Sequence, residues 1–252
     1  MKTITFTLSV LASFVLWAHT PTRTTTDVTD AYGAIIRHNV ESKNIYFIFS
    51  ADEAFEGAPH ILDVLEKHGA KASFFLTGNC LRNDVHKNVI ERIIEDGHFV
   101  GGHSDNHLLY AEWDKRDSLI VSEDSLVTDF RKNMYELDRW GIDTSAIKYY
   151  LPPYEWYNKR SVELVEREGQ HSINYTAGIR TAADYTTPDM KSYKSSEELI
   201  GQLFKFEEEK GLNGAIILIH PGTHPDREDK LYLHLDSIIT ELNKRGYLFD
   251  KF

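Results

Sequence analysis

From about residue 44 onward the chain alternates short apolar runs with amphipathic stretches, and this rhythm restricts the fold more than any other feature. Ile45-Tyr46-Phe47-Ile48-Phe49, Ala72-Ser73-Phe74-Phe75-Leu76, His98-Phe99-Val100, residues 147–151, 170–175 and 215–219, and Tyr247-Leu248-Phe249 read as strands. They are short, mostly apolar and bounded by turn residues. Between them, residues 58–68, 88–95, 122–140, 159–168, 196–209 and 234–244 read as helices. Ile61, Leu62 and Leu65 show the helical spacing, and Gly69, Gly97 and Gly141 supply stops. Strands alternating with helices mean β/α units and a parallel sheet covered on its faces. About seven units in roughly 210 residues fit an α/β fold of the irregular (β/α) barrel kind better than an open doubly wound sheet. In a parallel barrel, chemistry belongs at the C-terminal ends of the strands.

Charge and cysteine usage narrow the function classes. With 28 Lys+Arg against 39 Asp+Glu, the formal net charge of −11 repels phosphate backbones and anionic membranes, so nucleic acid is not the expected partner. The single cysteine, Cys80, excludes an intrachain disulfide and a Cys-rich zinc site, and it reads as structural. Met1-Lys2 followed by an apolar run from Ile4 to Ala18 has the form of a secretory signal over residues 1–20 and is too short for a good membrane span. The expectation is a secreted or periplasmic protein without a membrane span once mature. A Thr-rich, unstructured lead-in would cover 21–43 and one domain 44–252.

Three polar sets fall at predicted strand ends. His103 and His107 follow the strand at 98–100, and one turn of backbone would let both imidazoles reach one ion. Imidazole suits zinc, cobalt and nickel, and a carboxylate would complete a set with open positions. By spacing alone, a solvated loop would carry the same pattern. Asp52-Glu53 lies just beyond the first strand, and His220 ends the apolar run 215–219. All three sets would meet at the mouth of a barrel.

In this order the residues resemble the polysaccharide deacetylases of the NodB-homology type, carbohydrate esterase family 4, over roughly residues 44–250. The likeness is carried by Lys71 to Gly78, by Gly97-His98 with His103-Ser104 through His107, and by Leu151-Pro152-Pro153-Tyr154. Asp184-Tyr185 and Leu218-Ile219-His220 complete it. The resemblance implies that Asp52, His103 and His107 hold one divalent ion, zinc first and cobalt or nickel as alternatives. It further implies that His220 acts as general acid, with Asp184 as its partner, and that the segment Pro153-Tyr154 contacts substrate. Removal of an N- or O-linked acetyl group from an oligo- or polysaccharide would be the reaction. Trp113, Tyr154, Trp156, Tyr157 and Tyr185 could form an aromatic rim for sugar rings.

Two departures qualify the resemblance. The family's general base falls on Ala51, and the arginine that orients it falls on Leu151. Glu53 is the first replacement to consider, with Glu56 and Glu155 as further candidates. Losing a base costs about 10²–10⁴ in rate. The competing expectations are a catalytically idle, metal-containing carbohydrate-binding domain and, in the same barrel, a deformylase or amidase for a small substrate.

Overall fold

Strand β3 (Asn44–Ala51) runs through the middle of the molecule and is buried from Ile45 onward, as its near-continuous apolar sequence requires. The computed structural model describes residues 26–252; the signal predicted over residues 1–20 lies outside them. Among the described residues, no helix is long and apolar enough to cross a membrane.

Beta-alpha units follow in order. Helix α1 (Ala58–His68) starts with Pro59 in its first turn and ends at Gly69, whose φ of 59° only glycine adopts without cost. Next come β4 (Ser73–Leu76), α2 (Gly78–Arg82), α3 (Lys87–Glu95), β5 (Phe99–Gly102) and α4 (Glu123–Arg139). The second half contains β6 (Tyr149–Tyr150), α5 (Lys159–Arg167), β7 (His171–Ser172), α6 (Ser196–Lys210), β8 (Ile216–Leu218), α7 (Leu235–Lys244) and β9 (Leu248–Asp250). Capping boxes at Asn158 with Ser161 and at Ser195 with Glu198 set the starts of α5 and α6.

Seven strands form a parallel sheet in the order β7-β6-β5-β4-β3-β8, with β9 beside the start of β3. The chain therefore has the expected (β/α) barrel architecture. Period-two alternation divides its core. Tyr46, Ile48, Phe75, Leu151, Ile216 and Leu218 fill the barrel, while Phe47, Phe49, Phe74 and Ile217 face the helices. Phe252 stacks on Tyr46 at 5.3 Å and meets Tyr149 at 4.6 Å, closing the N-terminal end of the barrel.

The lead-in expected over 21–43 is corrected by the fold from residue 26 onward. β1 (Val28–Thr29) and β2 (Ile35–Arg37) form an antiparallel pair, and Ala34 and Ile35 are fully buried. Ile35 bridges Ile173 and Arg37 bridges Ala215, so β2 fills the gap between the two edges of the curled sheet. Thr176 completes the closure, its N–H donating to Ile216 O and its hydroxyl to Ile36 O. A three-residue strand within a polar stretch carries too little periodicity to be read before its partners are known.

Candidate active site

Because the strands are parallel, their C-terminal ends share one rim, and Asp52, His103 and His220 all leave strands there. They line a cleft of about 770 Å³ together with Glu53, His107, Trp113, Tyr154, Glu155 and Tyr185.

Asp52 is held from one side. Its Oδ1 accepts hydrogen bonds from Thr77 Oγ1 at 2.8 Å and Asn79 Nδ2 at 3.1 Å, leaving Oδ2 toward His107 Nδ1, 4.0 Å away. His103 is almost fully buried. Its N–H donates to Asn133 Oδ1, and its Nδ1–H donates to Leu151 O at 2.8 Å. A carbonyl can only accept, so the proton sits on Nδ1 and the Nε2 lone pair is free on the cleft side. Burial, reinforced by the neighbouring His107, pushes the His103 pKa well down and keeps the ring neutral. Burial likewise lowers the His107 pKa, with Asp52 opposing.

The turn between the histidines is built by α4. Asp129 accepts from the N–H groups of Asp105 at 3.1 Å and Asn106 at 3.0 Å and from the Ser104 hydroxyl. Ser104 and His107 both take left-handed backbone, φ 77° and 52°, which brings the two rings to 5.0 Å. Asn133, one turn along α4 from Asp129, also donates to Leu76 O and so ties β4 to β5 beneath the site.

His220 is fixed differently. Both Asp184 oxygens accept from it, one from its backbone N–H at 2.9 Å and one from ring Nδ1 at 2.5 Å. Burial alone would lower its pKa, but the charge and hydrogen bond of Asp184 win, and the pKa is raised. Asp184 is completely buried.

The donor set suits a divalent ion in chemistry: two neutral imidazoles and a carboxylate with one oxygen already satisfied. As they stand, however, no three His, Cys, Asp or Glu side chains among the described residues come close enough to enclose an ion. The fit rests on the preset tautomer of His103 and the preset oxygen of Asp52.

The sequence profile named polysaccharide deacetylase matches residues 37–173, more than half of the chain. The chain belongs to the polysaccharide deacetylase family. It is 26% identical over 224 residues to the peptidoglycan-N-acetylmuramic acid deacetylase PdaA of Bacillus subtilis, spanning 87% of this chain and 74% of that protein. The solved structure of Bacillus subtilis PdaA, a family 4 carbohydrate esterase, superposes with a TM-score of 0.64 at 23% identity, covering 87% of this chain and 83% of that one. A CE4 family pseudoenzyme from Bacillus anthracis superposes with a TM-score of 0.67 at 20% identity, covering 88% and 68%. The structural likeness is one of fold.

Against that family the departures have a visible structural basis. Leu151 packs inside the barrel in one apolar cluster with Ile48, Phe75 and Ile173, and its carbonyl orients His103. Ala51 is buried at the cleft floor. Of the three carboxylates considered as replacements, Glu53 is exposed at the rim. Glu56 is committed elsewhere, accepting from Thr223 N–H at 3.0 Å and from Lys230 Nζ at 3.3 Å. Glu155 lies within the cleft, its side chain 14% exposed and its Oε1 3.8 Å from His103 Nε2. Burial raises its pKa to about 7, with His220 opposing.

The rim also needs correction. Tyr154 lies 4.2 Å from the His107 ring, and Trp113, Tyr154 and Tyr185 are open to solvent. Trp156 stands behind Trp113 at 5.3 Å, its indole N–H on Glu112 O and its face on Arg116, so it supports the rim without lining it. Pro153 and Tyr157 are buried and do not reach the cleft. The sequence reading also missed Thr77, Asn79, Asp129 and Asn133. The i, i+4 pair of small polar residues on a helix face otherwise buried around Leu126, Phe130 and Leu137 was the available signal.

The loops after β3 and β8 touch at Gly222, where a methyl group would run into the backbone of Ala54 and Phe55. Gly222→Ala is expected to cost about 1–3 kcal/mol of stability through overpacking. Urea unfolding checks this, and an unchanged midpoint would refute the close approach.

Proposed function

We propose that the protein is a metal-assisted deacetylase that removes N- or O-linked acetyl groups from an oligo- or polysaccharide. The observation that carries this reading is one cleft holding two differently prepared histidine systems. One is the pair His103 and His107 beside Asp52, whose pKa values burial lowers; the other is His220, gripped by Asp184, which raises its pKa.

A divalent ion held by Asp52, His103 and His107, zinc first with cobalt or nickel as alternatives, would polarise the acetyl carbonyl and acidify the attacking water. His220 donates a proton to the departing amine or alkoxide, and Asp184 holds the imidazole in position for that donation. Trp113, Tyr154 and Tyr185 offer flat apolar surface to the C–H faces of sugar rings, and the tyrosines add a hydroxyl. The name of the Bacillus subtilis relative makes peptidoglycan one polymer to test. Residues 1–20, taken as a secretory signal, would bring the protein to such polymers outside the cytoplasm.

A second reading, an idle domain that binds metal and sugar, is favoured by Ala51 and Leu151, which carry neither a base nor its orienter. Acetate release from peptidoglycan, chitin oligomers and acetylated xylan separates the two. Release that is lost with chelator and restored by zinc, cobalt or nickel is the expected result. Stoichiometric metal without release from any polymer would overturn the deacetylase reading in favour of the binding domain.

A further inference from the structure

We propose that Glu155 takes the proton from the attacking water, so that the carboxylate missing at Ala51 is replaced from a different loop. The proposal rests on the deacetylase reading and assigns that site its base.

The argument is one of position. Each other carboxylate near the reacting centre is occupied or turned away. Asp52 is bound through Oδ1 by Thr77 and Asn79, and Asp184 has both oxygens on His220. Asp189 accepts from the Thr187 hydroxyl, and the Asp226 side chain is 75% exposed. Glu53 is exposed as well. Glu155 alone combines burial with a carboxylate that accepts no hydrogen bond from a protein donor among the described residues, and its nearest partner is His103 Nε2 at 3.8 Å. A water attacking at an ion held by His103 would therefore lie within reach of the Glu155 carboxylate.

The backbone holds Glu155 in this place at a cost. Tyr154 and Glu155 are consecutive non-glycine residues in left-handed conformation, φ 59° and 50°. Such residues persist where their surroundings over-determine them, and they cluster at functional sites. Here the Glu155 N–H donates to Pro152 O at 3.0 Å, and Asn174 Nδ2 donates to Glu155 O at 3.2 Å. Asn174 also donates to the Tyr157 hydroxyl at 3.0 Å, so the turn is anchored to a buried tyrosine. The left-handed turn directs Tyr154 to the His107 face and Glu155 to His103.

The step balances. Water oxygen bonds to the acetyl carbon while one of its protons passes to a Glu155 oxygen. Collapse of the tetrahedral species breaks the bond to the sugar nitrogen or oxygen, and the leaving atom takes a proton from His220. Acetate and the free sugar leave, Glu155 gives its proton to solvent, and His220 regains one.

The test compares wild type, Glu155→Gln and Glu53→Gln, all zinc-loaded, for acetate release from chitin oligomers and peptidoglycan, together with bound zinc per chain and the thermal midpoint. Glu155→Gln is expected to lose about 10²-fold or more in kcat, with zinc content, KM and midpoint close to wild type. Glu155→Gly, which also relieves the left-handed residue, is expected to regain part of its turnover in a saturable manner with added formate. Loss of zinc in Glu155→Gln would make the residue a ligand and overturn the proposal. Full turnover in Glu155→Gln, with or without loss in Glu53→Gln, would overturn it while leaving the deacetylase reading intact. No release by wild type would remove that reading and the base together.

Discussion

Asp52→Asn is expected to weaken divalent metal binding by more than about 10²-fold and to take acetate release down with it, since even partners outside the ligand shell are worth 10–100-fold. Thr77 and Asn79 both donate to Oδ1, so the amide oxygen of the new side chain must take that place. Its NH₂ group, which has no lone pair to offer, is then turned toward His107 and the cleft. The substitution is isosteric and leaves the hydrogen bonds of β4 and α2 intact, so the fold should be preserved. Competition titration with a chromophoric chelator reads the affinity directly. Thr77→Ala, which removes one of the two donors to Oδ1 and keeps the carboxylate, should fall between, at about 10–100-fold. Unchanged affinity in Asp52→Asn would remove Asp52 from the ligand set and reopen the search for a carboxylate.

His220→Ala is expected to lower kcat by about 10²–10⁴, the range for removing a positioned general acid. Asp184→Asn tests the same pair through pH. Burial disfavours the His220 imidazolium, whereas the charge and hydrogen bond of Asp184 more than offset it, with Glu155 adding to the rise and Arg227 subtracting. The raised pKa keeps the proton on His220 to higher pH, and the alkaline limb of kcat marks its loss. In Asp184→Asn most of the offset to burial is lost and only the smaller contribution of Glu155 remains, so that limb moves to lower pH. The stability linkage has the same sign. The pair contributes fully below the ordinary histidine pKa of about 6.5 and fades as pH rises through the raised native value. Urea unfolding should therefore separate wild type from Asp184→Asn most at acidic pH and least at alkaline pH. Superimposable kcat profiles for the two proteins would deny His220 the acid role.

What could be read before the structure was what depends on local pattern. The alternation of buried runs and amphipathic stretches determines the parallel sheet, because a strand covered on both faces must be almost wholly apolar, as β3 is from Ile45 to Ala51 with Ser50 the exception. The placement of Asp52, His103 and His220 on one rim follows from parallel strand order, which no single segment can alter. Side-chain direction in the loops has no such period. Glu53 and Glu155 looked interchangeable in sequence, but successive left-handed residues turn Glu155 inward, whereas Glu53 on the loop after β3 stands in solvent. Trp113 and Trp156 likewise differ only in which one the other covers. Asp129 and Asn133 sit 26 and 30 residues beyond His103, and only the packing of α4 brings them beneath the histidine turn. The sequence by itself determined the elements, their order and the residue types at the strand ends, because burial and periodicity act within each segment. The tertiary structure alone decided which loop supplies the free carboxylate, which aromatic rings face the cleft and how β2 closes the barrel, because those outcomes depend on contacts between segments far apart in the chain.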